Sequence, residues 1–160
     1  MFRNMRRFKQ QLLDEECIQI LNDNTAGVLS VAGDDGYPYG VPLSYAYKDG
    51  KLFFHSALDG HKVDAIKINP KVSFCVIDRD DVHPAEYTTY YRSVIAFGKA
   101  KLIEINNDKM IGLDMLSDKY SHGEGDKEKE IKNGINRLVI IEVEIEHLTG
   151  KCAKELKMRC

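Results

Sequence analysis

Residues 52–65, LFFHSALDGHKVDA, hold the side chains best suited to chemistry in this sequence. The segment reads as the end of a strand, a turn at Asp59 and Gly60, and a helix that opens with His61 and Lys62. A glycine, a basic pair and the positive end of a helix dipole together form a site for a phosphate or another anion. A strand–helix connection whose basic residues only face water has the same pattern, so both interpretations stay open.

A histidine, His55, stands just before that turn. Because side chains alternate along a strand, Phe53 and His55 share one face, and Phe54 and Ser56 share the other. His55 is either a hydrogen-bonded structural residue or a ligand contact beside the anion site. Metal binding is the rival hypothesis, but His55 and His61 lack the i, i+3 or i, i+4 spacing of a helical metal pair, so no metal site is predicted.

Two further segments fit a ligand site. Pro42, within the stretch VPLSY at residues 41–45, has no N–H for a ladder, which predicts a strand edge, a bulge or a barrel opening. Arg92, within TTYYRSV at residues 88–94, lies among hydroxyls and aromatic rings suited to stacking or phosphate contact. An ordinary edge strand and a polar strand end are the alternatives. Neither the hydrolase G-x-S-x-G elbow nor the G-x-G-x-x-G dinucleotide fingerprint occurs.

Length and charge narrow the protein class. The 160 residues predict one domain over 1–160, with tails at 1–10 and 152–160. A net charge of -2, from 23 basic and 25 acidic residues, predicts no nucleic-acid partner. No apolar run suits a signal peptide or a membrane span, and the four cysteines form no C-x-x-C pair, so a cytoplasmic setting is expected. Cys75 reads as a small buried hydrophobe, and Cys152 and Cys160 as residues near an exposed end.

Hydrophobic periodicity and turn residues predict the elements that position these side chains. An acidic loop is expected at 78–86, and a short helix or mobile loop at 121–136. Helices are predicted at 12–21, 61–68 and 107–120, and strands at 26–32, 39–47, 51–56, 71–78, 89–105 (bent near Gly98) and 138–147. The first three strands are joined by turns too short for parallel crossovers. The expected fold is therefore a mainly β, six-stranded antiparallel barrel with flanking helices.

Four segments together resemble one protein family: residues 33–47, 51–78, 90–103 and 145–156. They are similar to the flavin mononucleotide (FMN)-binding split-barrel proteins related to pyridoxamine 5'-phosphate oxidase. The nitroimidazole-resistance branch, whose members look like nitroimidazole reductases, is the most similar part of that family. The resemblance spans nearly the whole chain and implies a split β-barrel of Greek-key type.

The resemblance also implies roles for particular residues. The stretch 53–62 would hold the FMN phosphate, with His61 and Lys62 as the basic pair, and the strand from Tyr39 would run beside the flavin ring. The flavin would lie at a homodimer interface. The implied cofactor contacts are Val41, Pro42, Leu43, Ser44, Phe54, His55, Ser56, Ala57, Gly60, His61, Lys62, Tyr91, Arg92 and Ser93.

Departures from the oxidase pattern shape the expected activity. Tyr39 and Ser44 replace an arginine and a lysine, Ser93 replaces a glutamine, and the last strand ends in LTGK, without the substrate-phosphate motif. The expected activity is therefore reduction of a small aromatic acceptor, nitroimidazole-like or quinone-like, with His55 contacting the cofactor or protonating the substrate. A non-catalytic flavin-storage module and a haem-binding relative, with His55 or His83 as axial ligand, stay open as alternatives.

Overall fold

The computed structural model describes residues 1–121 and 125–157. Seven strands and five helices occur in these ranges. The strands are β1 (Ala26–Ala32), β2 (Pro38–Ser44), β3 (Ala46–Lys48), β4 (Lys51–Ala57), β5 (Lys71–His83), β6 (Thr88–Ile103) and β7 (Leu138–Cys152). The helices are α1 (Asp14–Asp23), α2 (His61–Ile68), α3 (Asn106–Tyr120), α4 (Lys127–Gly134) and α5 (Lys154–Lys157).

All seven strands join one antiparallel sheet in the order β2-β1-β5-β6-β7-β4-β3. β2 and β3 lie at opposite ends of this order, yet Tyr45 alone separates them in the chain. The sheet must therefore curl until its two edges meet, which makes it a split barrel, as predicted. The single strand predicted at 39–47 is wrong, because it breaks at Tyr45 and its halves pair with different neighbours, β1 and β4.

The meeting of the two edges, here called the seam, is held by Tyr45 and the C-terminal turn of α3. Tyr45 is fully buried, and its ring packs edge-on against Phe74 at a centroid distance of 4.8 Å. Its peptide N–H donates to the Tyr120 hydroxyl at 2.9 Å, and that hydroxyl also lies 2.9 Å from the Tyr45 carbonyl oxygen. The Lys119 ammonium sits 4.2 Å from the Tyr45 ring centroid and donates to the Asn24 carbonyl at 2.6 Å. One helix end thus fastens both sheet edges to the end of α1.

The predicted alternation in β4 is confirmed. Phe54 and Ser56 are buried, and Phe54 belongs to the main core inside the barrel. Phe53 faces the other way and packs with Leu116 of α3 in a smaller cluster on the outside of the sheet. α3 therefore covers the outer face of β4, and His55, on the same face as Phe53, points toward that helix layer.

Two strands run further than the sequence indicates. The predicted acidic loop at 78–86 is wrong, because β5 continues to His83 and pairs with β6 as far as Thr88. On β5, residues 79–82 of this two-stranded extension are exposed, so they carry charge without the apolar alternation that signals a strand, whereas Tyr90 of β6 is buried. The predicted short helix within 121–136 is confirmed as α4, while residues 122–124 lie outside the described ranges.

The last strand was also predicted too short. β7 extends past residue 147 to Cys152, because β6 pairs with it on both sides of a bulge at Phe97 and Gly98. A Cβ on Gly98 would stand 2.2 Å from the Glu144 carbonyl oxygen, so the predicted bend needs a glycine there. Cys152 is only 2 % exposed, which corrects its predicted place near an exposed end, and Cys160 is outside the described residues.

Removing the Tyr120 hydroxyl is expected to destabilise the seam. Tyr120→Phe leaves the buried Tyr45 peptide N–H without its acceptor, which costs about 1–3 kcal/mol in the free energy of unfolding. Urea denaturation followed by circular dichroism measures this change. Tyr87→Phe is the matched control, since Tyr87 is 98 % exposed. Equal stability of the two variants would contradict the role given to the seam.

Candidate functional site

The start of α2 has the geometry of an anion site. Gly60 precedes the helix with a φ of 117°, a backbone conformation that favours glycine, and its carbonyl accepts from Val63 and Asp64 at 2.8 and 3.0 Å. The N–H groups of His61 and Lys62 come too early in the helix to find an intrahelical acceptor. A Cβ built on Gly60 meets no heavy atom within 4 Å, so the space beside these donors is open.

The two basic side chains at this helix start differ in their surroundings. The His61 ring stacks on Tyr39 at a centroid distance of 4.1 Å, and its Nε2 lies 3.5 Å from a carboxylate oxygen of Asp34. His61 therefore joins α2 to the β1–β2 turn, with a counter-charge already beside it. Lys62 forms no ion pair with any residue that the structure describes, which leaves it as the cation available to an incoming anion.

A second group of predicted residues meets on the outer side of the sheet. His55 and Ser44 line one cavity of about 310 Å³ beneath α3 and α4, which we call the α3–α4 cavity. Ser56 points to the opposite face of β4, where its hydroxyl is buried and has no hydrogen-bond partner among the described residues. Ala57, at the end of β4, is exposed. His55 and Ser56, predicted to line the same part of the cofactor site, thus face opposite sides of the sheet.

Pro42 lies in a position that needs no N–H donor on one side. β2 ends the sheet order and pairs with β1 alone, so Pro42 sits in an edge strand, one of the three settings expected. Val41 and Leu43 are half-buried against the barrel core, whereas Pro42 and Ser44 are exposed. The exposed edge of β2 therefore presents a backbone surface next to the seam.

The third group lies at the start of β6, and its arginine already forms a structural ion pair. The Arg92 guanidinium pairs with Asp78 at 2.5 Å, and Asp78 also accepts from the Asn24 side chain at 2.8 Å. This hydrogen bond raises the pKa of Arg92 above its ordinary value. The neighbouring Tyr91 hydroxyl is buried without a described partner, and the Lys151 ammonium stands 5.0 Å from the Tyr91 ring centroid. Ser93, the next residue, is half-buried opposite Lys151.

Within a single chain, the His55 group and the Arg92 group lie far apart. His55 pairs with Ile140, and Ile140 pairs with Ile103, whereas Arg92 pairs with Cys152 at the other end of β7. Arg92 and Ile103 are eleven residues apart on β6, which at about 3.3 Å per residue is roughly 36 Å of strand. The α3–α4 cavity and the Arg92 group therefore lie toward opposite ends of the β6–β7 ladder.

Sequence reasoning missed the helical wall of the α3–α4 cavity. Leu113, Leu116 and Tyr120 contribute from α3, and Glu130 and Ile131 contribute from α4. The spacing of Leu113, Leu116 and Tyr120, three and seven residues apart, would have identified the buried stripe of α3. The charged composition of 121–136 concealed the contribution of α4.

The described residues contain no group of three or more His, Cys, Asp or Glu side chains arranged to hold a metal ion. Within the same ranges, no helix has the length and apolar character needed to cross a membrane.

Comparisons with known proteins connect this geometry to one family. The family model described as Pyridoxamine 5'-phosphate oxidase matches residues 14–152. An uncharacterised protein of Rhizobium meliloti is 26% identical over 160 residues, which cover 93% of this chain and 99% of that protein.

Solved structures show the same fold. A protein from Bacteroides thetaiotaomicron, described as a 5-nitroimidazole antibiotic resistance protein, is 20% identical with a TM-score of 0.77, covering 89% of this chain and 86% of its own. An FAD-binding protein from Mesorhizobium loti is 26% identical with a TM-score of 0.67, covering 90% and 96%.

Proposed function

The chain belongs to the pyridoxamine 5'-phosphate oxidase family, and on that premise we propose that it is a cytoplasmic, FMN-binding oxidoreductase. Its substrate would be a small aromatic acceptor, nitroimidazole-like or quinone-like. The observation that carries the proposal is the open helix start at Gly60, His61 and Lys62, which offers two backbone donors and one unpaired cation to a single phosphate. Cys17 and Cys75 are free thiols, which supports a reducing compartment.

The residues present fit a flavin phosphate. Lys62 and the first N–H groups of α2 would hold it, each charge-assisted contact being worth about 1.5–3 kcal/mol. His61 would position the helix start through Tyr39 and Asp34 rather than neutralise the phosphate alone. When bound, the flavin supplies electron transfer, and the protein supplies binding, orientation and electrostatics.

The role of His55 best distinguishes an enzyme from a flavin-storage module. Its imidazole lines a cavity whose volume, about 310 Å³, lies at the small end of the range for ligand pockets. From there it could donate a proton to an acceptor held in the cavity. The other candidate haem ligand of the sequence, His83, stacks on Tyr90 at a centroid distance of 3.8 Å with Glu86 nearby, so its ring is held by the β5–β6 turn.

We also propose that the protein is a homodimer, and the outer face of the sheet supports this. The cross-strand register aligns Pro42, Val28, Cys75, Ile95 and Thr149 in one outward row over five strands. Ile77 and Phe97 extend the same apolar face along β5 and β6, and Ile77 is 65 % exposed. A contiguous exposed apolar face of this kind is typical of an interaction surface.

The far flank of the sheet has the opposite character. Lys51 pairs with Glu142 at 2.9 Å, and Lys99 pairs with Glu146 at 3.0 Å, on the outer face of β4, β6 and β7. Such cross-strand ion pairs suit a solvated surface. A second copy would therefore seat on the apolar row, and a two-fold arrangement would let the Arg92 region of one subunit approach the cofactor site of the other.

The absorption spectrum tests the proposed function directly. The purified protein, as isolated or after titration with FMN, is expected to show the bands of oxidised flavin. These bands should bleach with a nicotinamide donor and return on addition of a nitroimidazole. A Soret band would favour haem, bound flavin without turnover by any donor would favour storage, and failure to bind either chromophore would refute the proposal.

Lys62 is expected to bind the phosphate of FMN. Lys62→Ala should weaken FMN binding by roughly ten- to 150-fold, the equivalent of about 1.5–3 kcal/mol, and leave riboflavin binding nearly unchanged. Flavin fluorescence titration measures both affinities. Lys67→Ala is the matched control, because Lys67 is an exposed lysine in the last turn of the same helix. Equal losses for FMN and riboflavin would show that Lys62 does not contact phosphate.

The apolar row is expected to form the dimer interface. Ile95→Glu places a charge within this row and should weaken dimerisation by roughly 30-fold or more, the equivalent of about 2 kcal/mol. Sedimentation velocity over a concentration series measures the change. Ile111→Glu serves as the control, since Ile111 is the same residue type and is more exposed, 63 % against 39 % for Ile95, but lies on α3. A dimer that survives Ile95→Glu, or a protein that is monomeric from the start, would place the interface elsewhere or remove it.

A further inference from the structure

The α3–α4 cavity lies apart from the phosphate-binding helix start. It is bounded by Leu116 of α3, Ile131 of α4 and Leu138 of β7, and it opens next to His55 and Ser44. Its walls are therefore mainly aliphatic, with polar groups along one side. An aliphatic cavity with a few convergent polar groups is the usual form of a small-molecule site.

Charge distinguishes this cavity from the cofactor phosphate site. Among the described residues its lining includes no lysine or arginine, and Glu130 contributes a carboxylate at the rim. An anionic group entering the cavity would meet the like charge of Glu130, and no lysine or arginine of the described lining offsets it. The described lining also offers the imidazole of His55 and the hydroxyls of Ser44, Ser117 and Ser121 for hydrogen bonds, because the Tyr120 hydroxyl is committed to the seam.

Size limits the ligand as well. A cavity of about 310 Å³ accommodates a compact ring with small substituents rather than a tetrapyrrole or a dinucleotide. Flat aromatic rings pack well between aliphatic side chains such as Leu116 and Ile131. A ring nitrogen or a carbonyl would find donors in His55 and Ser117.

We propose that the α3–α4 cavity is the acceptor site and that it selects neutral or cationic single-ring aromatic compounds over anionic ones. That the ligand is an electron acceptor rests on the proposed oxidoreductase function, but the binding preference itself requires no flavin. Glu130 sets the charge preference, while His55 and Ser117 orient the ring.

Three compounds of one shape test the charge preference: benzamidine, benzamide and benzoate. Titration of the purified protein, followed by calorimetry and by amide chemical shifts, should show benzamidine and benzamide binding roughly three- to tenfold more tightly than benzoate. The shifts should concentrate at residues that line the cavity. No binding of any of the three, or tighter binding of benzoate, would overturn the proposal.

Charge reversal identifies the residue responsible. Glu130→Lys should reverse the order, so that benzoate binds most tightly. Glu128→Lys makes the same change on the same helix, at a side chain that does not line the α3–α4 cavity, and should leave the order as it is. An unchanged order in Glu130→Lys, or the same reversal in both variants, would contradict the assignment.

A cavity-filling variant distinguishes loss of ligand binding caused by a filled cavity from loss caused by unfolding. Gly134 is helical, and a Cβ there meets only Leu138 Cδ2, at 4.0 Å, so a side chain can enter the cavity without a clash. Gly134→Leu should abolish binding of all three compounds while Tm is unchanged or raised, because glycine is a weak helix former. Asn133→Leu, at the adjacent exposed position, should bind them normally.

The same variants distinguish a failure of this proposal from a failure of the proposed function. Flavin titration of Gly134→Leu should match that of the unmodified protein, because Lys62 lies outside the cavity. Retained benzamide binding in Gly134→Leu would overturn the acceptor site and leave the flavin proposal intact. Benzamide binding by a protein that takes up no flavin would support the cavity and overturn the oxidoreductase.

Discussion

The single residue between β2 and β3 is the constraint on which the rest of the structure depends. The two edges of a seven-stranded sheet cannot be joined through Tyr45 alone unless the sheet curls fully. Curling buries Tyr45, and the Tyr120 hydroxyl, at the end of α3, accepts a hydrogen bond from its peptide N–H and lies within hydrogen-bond distance of the Thr25 and Tyr45 carbonyl oxygens. α3 is thereby fixed over the outer face of β4, and the α3–α4 cavity is a consequence of that placement. The proposed acceptor site thus follows from the closure of the barrel.

Local turn chemistry made much of this fold predictable. Asp49 and Gly50 both adopt positive φ and join β3 to β4, as their sequence indicates, and α2 ends before Pro70. Tertiary pairing decided what could not be predicted. No local signal breaks the strand at Tyr45, because the break reflects which neighbour each half pairs with. The extension of β5 to His83 likewise depends on the partner strand β6 rather than on an apolar pattern.

The predicted site residues show the same division. The helix start at Gly60 and Lys62 could be predicted because glycine, charge and helix phase are local properties. The pairing of Arg92 with Asp78 could not be predicted, since it depends on a bulge in β5 that brings Asp78 beside β6. The residues that resemble one cofactor site are thus divided in a single chain between an available cation, Lys62, and an already neutralised one, Arg92.

The sheet order also determines when the barrel can close during synthesis. β7 lies between β6 and β4, so it alone joins the four-stranded part β2-β1-β5-β6 to the β3–β4 hairpin. β4 is translated long before β7, and their pairing joins residues as distant as Lys51 and Glu144. Until Leu138–Cys152 leaves the ribosome, the β3–β4 hairpin has no strand to receive it. Closure of the barrel therefore has to wait for β7, and contacts this distant in sequence predict slow folding.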